Sequence, residues 1–219
     1  MIHLFPSSSF FFTIIVSLCT FLSSVDRTQA EEKVTRVVFL GDSITAGYGL
    51  KKTEAYPAII QKMAAANGQS VKVINAGLSG DTTSGGVRRI RILAKQPIDV
   101  LVIALGGNDG LRGIPAKVSG KNLETIIDLV RKQHPDVKIL LAGMQMPENM
   151  GKDYTDSFRQ VFGEVAERKK VATLPFLLEG VAVDKNLNLP DGIHPNKEGQ
   201  KIVAAHVYKA LLPLLTQDQ

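Results

Sequence analysis

The sequence predicts an α/β fold in which one parallel sheet is covered by helices on both faces. Two observations carry the prediction. From Val34 onward, short apolar, β-branched runs alternate with longer segments of helical spacing, and no hairpin signal joins one run to the next. The first three runs also end in clusters of glycine and small polar residues, the place where an open α/β sheet holds its ligands.

Taken in order, Val34–Leu40 reads as the first buried strand and runs into Gly41-Asp42-Ser43. Ala55–Asn67 has helical spacing. The second strand, Val71–Asn75, runs into Ala76-Gly77-Leu78-Ser79-Gly80-Asp81, and a helix follows over Thr83–Lys95. The third strand, Val100–Leu105, ends in Gly106-Gly107-Asn108-Asp109. A helix over Gly120–His134, a strand at Lys138–Leu141, a helix over Asp156–Lys169 and a strand at Val171–Leu174 complete the alternation. The loop Asp191-Gly192-Ile193-His194-Pro195-Asn196 then precedes a last helix over Lys197–Leu215. Successive strands joined through helices favour a parallel sheet. Three strand ends, with the 191–196 loop, converge on one crevice.

Residues 1–30 differ from the rest of the 219-residue chain. Phe10 to Leu22 is almost unbroken apolar sequence, shorter than the ~20 residues of a membrane-spanning helix. A polar stretch ending Thr28-Gln29-Ala30 and the charges Glu31-Glu32-Lys33 follow. This is the layout of a secretory signal cleaved after Ala30, leaving residues 31–219 as one domain and a periplasmic location as the expectation. An uncleaved anchor is the alternative, because no Lys or Arg precedes the apolar run. Roughly 190 residues remain, ample for one packed core. Cys19 is the only cysteine, so the chain beyond the signal has no thiol nucleophile, disulfide or thiolate metal site.

The net charge is +5 and the pI about 9.3. The pairs Lys51-Lys52, Arg88-Arg89 and Lys169-Lys170 are scattered and read as solvated surface charge, so no nucleic-acid partner is expected. Transient contact with an anionic membrane surface stays compatible with the charge. Neither glycine-rich strand end matches Gly-x-Gly-x-x-Gly or a P-loop, which argues against a dinucleotide site.

Elimination narrows the chemistry. A serine nucleophile needs a base, usually histidine. Beyond the signal, only His134, His194 and His206 remain. His134 reads as an exposed helix end, and His206, among Ala204, Ala205 and Val207, as structural. His194 lies in a Gly- and Pro-flanked loop three residues after Asp191, whose carboxylate could orient the imidazole. Alone, that pair equally describes a turn. Ser43 at a strand end is equally a nucleophile or a helix cap. Gly80, the Ser43 N–H and the Asn108 amide are candidate donors to an oxyanion; turns are their bland reading. Gly-x-Ser-x-Gly does not occur.

Together, Gly41-Asp42-Ser43-Ile44-Thr45, Gly80, Gly107-Asn108-Asp109 and Asp191-x-x-His194 resemble the four blocks of the SGNH (GDSL-type) hydrolases, in order and at matching spacing. The stretches Leu105–Gly113 and Asp191–Asn196 are similar to the bacterial periplasmic branch of thioesterases, lysophospholipases and arylesterases. The resemblance implies a three-layer α/β/α sandwich with a flavodoxin-like sheet, and neither cofactor nor metal. It implies Ser43 as nucleophile, His194 as base, Asp191 as its orienter, and Ser43, Gly80 and Asn108 as the oxyanion hole. Leu111, Ile114 and Pro115, and Met144, Met146 and Pro147, sit at the crevice edge in such a fold. There they either line a groove for an acyl chain or anchor their own loops. The resemblance favours medium or long acyl esters or lipids as substrates. A monomer or small homo-oligomer is expected. An acyltransferase or carbohydrate O-deacetylase could use the same site, and a non-catalytic lipid-binding module is the remote alternative.

Overall fold

Five strands form one parallel sheet: β1 (Thr35–Gly41), β2 (Val71–Gly77), β3 (Val100–Ala104), β4 (Lys138–Ala142) and β5 (Ala172–Leu174). Their order is β2-β1-β3-β4-β5. β1 lies between its two neighbours, with Val38 opposite both Ile74 and Leu101. Side chains from Val37 to Leu40, Val100 to Leu105 and Ile139 to Ala142 are buried. Burial on both faces explains why these strands read as continuous apolar runs rather than alternating ones. This computed structural model describes residues 1–3 and 34–215. The secretion signal expected at residues 1–30 lies outside the described residues apart from its first three.

Seven α-helices are described: α1 (Ser43–Ala46), α2 (Tyr56–Ala66), α3 (Thr83–Leu93), α4 (Gly107–Leu111), α5 (Ala116–Gln133), α6 (Lys152–Lys169) and α7 (Lys197–Leu215). α2 packs on α7, whereas α3 packs on α5 and α5 on α6. These two groups are the outer layers of an α/β/α sandwich, the fold class expected. Right-handed crossovers place them so: the connection from β1 to β2 runs opposite in direction to those from β2 to β5, so its helix lies on the other face.

Local departures have local causes. α5 starts at Ala116 rather than Gly120, because Pro115 sets the backbone at its entrance. Gly120 then lies inside the helix, where a Cβ would come within 2.6 Å of Val161. α6 starts at Lys152 rather than Asp156, directly after Gly151. Gln61 covers the outer edge of β2, donating to the Val71 carbonyl (2.6 Å) and accepting from the Val73 N–H (2.7 Å). That satisfies edge groups that would otherwise template another strand.

Gly77, at the end of β2, packs directly against the backbone of α1. A Cβ on Gly77 would lie 2.3 Å from the Ala46 nitrogen, an atom of fixed backbone. Gly77→Ala should therefore displace α1 and destabilise the protein by about 1–3 kcal/mol, read as a lower urea midpoint. An unchanged midpoint would show that α1 moves freely.

Candidate active site

Strand order reverses at β1, so the crevice between the carboxyl ends of β1 and β3 is where an open sheet of this kind binds ligands. Ser43 begins α1 at the end of β1, 8% exposed. Asp42 caps this short helix, its Oδ1 accepting the Ile44 N–H at 3.0 Å. Asn108 stands at the end of β3 in α4. Its Nδ2 donates to the Asp81 carbonyl (2.9 Å) and reaches toward Asp42 Oδ2 at 3.5 Å. Gly80 immediately precedes Asp81, and its carbonyl accepts from Arg112 at 3.0 Å. Gly80 itself is exposed and outside the groove lining described below.

His194 arrives from the far end of the chain. The loop ahead of α7 is closed by a Leu189 N–H to His194 carbonyl bond of 2.8 Å and by pairing of Asn188 with Pro195. His194 Nε2 lies 2.8 Å from Ser43 Oγ, and His194 Nδ1 lies 2.8 Å from Asp191 Oδ2. Asp191 Oδ1 also accepts the Ile193 and His194 N–H groups at 2.9 and 3.0 Å. Desolvation raises the Asp191 pKa, but these two backbone donors and the imidazole outweigh it and hold the carboxyl at about 2. An ionised Asp191 can only accept, so Nδ1 carries a proton toward it, and Nε2 is the nitrogen that faces the Ser43 hydroxyl. The other histidines are elsewhere: His134 ends α5, 3.0 Å from the Ala94 carbonyl, and His206 lies within α7.

A groove of about 660 Å³ opens beside Ser43 and His194, with mostly apolar walls. Leu111, Met144, Met146 and Pro147 line it. Ile114 and Pro115, expected with them, do not. The chain turns away after α4: Pro115 becomes the entrance of α5, and the Ile114 carbonyl accepts the Tyr154 hydroxyl at 2.7 Å. The opposite wall comes from Phe176, Leu178, Ala182 and Val183, in the segment after β5. Sequence reasoning passed over that segment because it has no period. Its one signal was the apolar triplet Phe176-Leu177-Leu178 just past a strand end.

Buried carboxyls brace the site. Asp109 is fully buried in α4; it accepts the Thr83 N–H (2.8 Å) at the start of α3 and the Ser119 hydroxyl (3.2 Å) of α5. Asp81 pairs with Arg89 at 2.6 Å, and the same guanidinium donates to the carbonyls of Gly41 and Ala76. Arg89 is therefore half-buried and structural, correcting its reading as solvated surface charge; Arg88 is exposed as expected. Among the described residues, no group of three or more His, Cys, Asp or Glu could hold a metal ion.

Asp42 is 3% exposed, and burial pushes its carboxyl up to about 6, against the opposing Ile44 N–H and His194. A carboxyl whose folded pKa is raised contributes stability below its unfolded value, near 4, and loses that contribution as pH rises through 6. The difference corresponds to roughly 3 kcal/mol. Asp42→Asn, which keeps a capping oxygen, should therefore gain stability relative to the parent by about that amount between pH 4 and pH 7. Denaturant titrations at both pH values check this; a constant difference would show that the Asp42 carboxyl titrates alike in the folded and unfolded protein.

The model of the GDSL-like Lipase/Acylhydrolase family matches residues 39–202. The esterase TesA of Pseudomonas aeruginosa is 39% identical over 203 residues, covering 92% of this chain and 98% of its own. Thioesterase 1/protease 1/lysophospholipase L1 of Escherichia coli K12 is 35% identical, over 83% of this chain and 86% of its own. Among solved structures, the psychrotrophic esterase EstA of Pseudoalteromonas sp., inhibited there by monoethylphosphonate, superposes with a TM-score of 0.77 at 29% identity. That superposition covers 84% of this chain and 100% of EstA. With the family model spanning most of the chain and these relatives matching nearly end to end, this protein is a hydrolase of the GDSL-like Lipase/Acylhydrolase family.

Proposed function

We propose that the chain is an exported serine esterase that cleaves carboxylic or thiol esters of medium and long acyl chains through an acyl-enzyme. The observation that carries the reading is the hydrogen-bonded chain Asp191–His194–Ser43, two contacts of 2.8 Å, opening onto an apolar groove. A nucleophile in reach of a base, itself held by a third group, is the arrangement that activates a hydroxyl.

In the first step His194 Nε2 takes the Ser43 proton as Oγ bonds to the acyl carbon, and the carbonyl electron pair moves onto oxygen. The Ser43 and Gly80 N–H groups and the Asn108 amide are the donors assigned to that oxyanion. In support, Asn108 Nδ2 spends one hydrogen on the Asp81 carbonyl and makes only a 3.5 Å approach with the other. The tetrahedral species collapses, the ester bond breaks, and the leaving alcohol or thiol takes the proton from His194. Water then repeats the sequence on the acyl-enzyme, releasing the acid and restoring Ser43. Asp191, ionised throughout, holds the ring and offsets the imidazolium charge.

The groove supports the acyl-chain reading. Its walls include two methionines, whose flexible thioethers adapt to irregular apolar ligands. The names of the relatives, an esterase and a thioesterase/lysophospholipase, agree with ester and lipid substrates. The apolar run Phe10–Leu22 and the following Thr28-Gln29-Ala30 support export to the periplasm with removal of residues 1–30.

With p-nitrophenyl esters of two to sixteen carbons, kcat/KM should rise from acetyl to octanoyl. Ser43→Ala should abolish turnover, and Asn108→Ala should lower kcat about 10²–10³-fold. A sharp acetyl optimum would move the assignment to O-deacetylation, and full activity in Ser43→Ala would overturn the nucleophile.

A further inference from the structure

Tyr48 is outside the groove lining and outside the blocks that identify the family, yet its ring lies on the ring of His194. The centroids are 4.4 Å apart and the planes inclined by 35°. We infer that Tyr48 is a positioning residue for the base, holding the His194 imidazole in plane with its two hydrogen bonds; this rests on the assignment of His194 as base.

The backbone around Tyr48 is built for that contact. The Gly47 and Tyr48 N–H groups both donate to the Ser43 carbonyl at 3.0 Å, so the tyrosine is tied to the nucleophile's own residue. Gly47 and Gly49 both have positive φ, +77° and +75°, which turns the chain sharply on either side of it. A Cβ on Gly49 would come within 2.7 Å of Leu189 Cδ1. Leu189 is the residue whose N–H binds the His194 carbonyl. The loop after α1 and the loop bearing the base therefore meet twice, Gly49 on Leu189 and Tyr48 on His194.

The physical need is specific. Hydrogen bonds at Nδ1 and Nε2 act in the plane of the imidazole and resist displacement within it. They resist a swing of the ring out of that plane only weakly. A second ring packed on its face resists that motion. Tyr48 is half-exposed and the His194 side chain is 18% exposed, so the tyrosine also stands between the base and solvent. When His194 takes the Ser43 proton, the same aromatic face meets the imidazolium, an attraction that acts in the transition state more than in the ground state.

Three variants, Tyr48→Leu, Tyr48→Phe and His194→Ala, test this on p-nitrophenyl butyrate, with ¹H NMR of the imidazole protons alongside. Tyr48→Leu should lower kcat roughly 5–50-fold while KM stays within twofold. Tyr48→Phe should recover most of that loss, because the face and not the hydroxyl is used. The His194 Cε1–H resonance should move downfield in the Leu variant and not in the Phe variant, as the ring current disappears. Loss of the ring-current shift with kcat unchanged in Tyr48→Leu would overturn the positioning role, as would a loss carried by KM or one that phenylalanine fails to recover. Substantial turnover in His194→Ala would instead overturn the assignment of the base.

Discussion

Helices that leave β1 and β3 pass to opposite faces of the sheet, and every feature of the site depends on that reversal. It opens a crevice between two adjacent strand ends, which places Ser43 and Asn108 on its two sides. The groove, the loop bearing His194 and the covering Tyr48 all gather around the same opening. The Ser43–His194 hydrogen bond joins residues 151 apart in sequence. No local segment could make it, so the site exists only when the whole sheet and both helical layers are assembled.

Buried carboxyls hold the loops at the strand ends, beside the apolar packing of Leu40 and Leu105. Asp42, Asp81 and Asp109 are each less than a tenth exposed. Each accepts a backbone N–H, from Ile44, Thr82 and Thr83 respectively. Burying charge is costly unless it is hydrogen-bonded, so these contacts define the loop conformations sharply: another arrangement would leave a carboxylate without donors. Arg89 adds a cation, tying Asp81 to the carbonyl ends of β1 and β2. Glycine at positions 41 and 77 lets side chain and backbone approach within distances a Cβ would block. The result is a rigid platform whose pieces come from three separate strand ends.

Much of this was legible in the sequence, and the reasons are physical. β1, β3 and β4 stood out because burial on both faces demands unbroken apolar runs, and α7 because Lys197–Leu215 keeps helical spacing throughout. His194 could be singled out because only three histidines follow residue 30, whereas Ser43, one of six serines there, stood out only through the family resemblance. Three kinds of feature were not legible. Asp42 and Asp109 sit among glycines, a pattern that also describes an exposed turn, so their burial appears only in three dimensions. The groove wall at Phe176–Val183 follows no period, because a loop packs by shape rather than by repeat. Tyr48 meets His194 across two loops distant in sequence, and nothing near residue 48 marks it. Ile114 and Pro115 erred the other way: proximity to Asn108 suggested the groove, but Pro115 directs the chain into α5.

The central claim is that Ser43 is the nucleophile and that its acyl group lies in the groove walled by Met144, Met146 and Leu178. The most direct test is treatment of the purified protein with an octyl phosphonate ester, followed by mass spectrometry of its peptides and a crystal structure of the adduct. The expected result is stoichiometric inactivation, the phosphonyl group on Ser43 Oγ, and the octyl chain along those three side chains. Inactivation with the adduct on any other residue, or an octyl chain directed out to solvent, would contradict it.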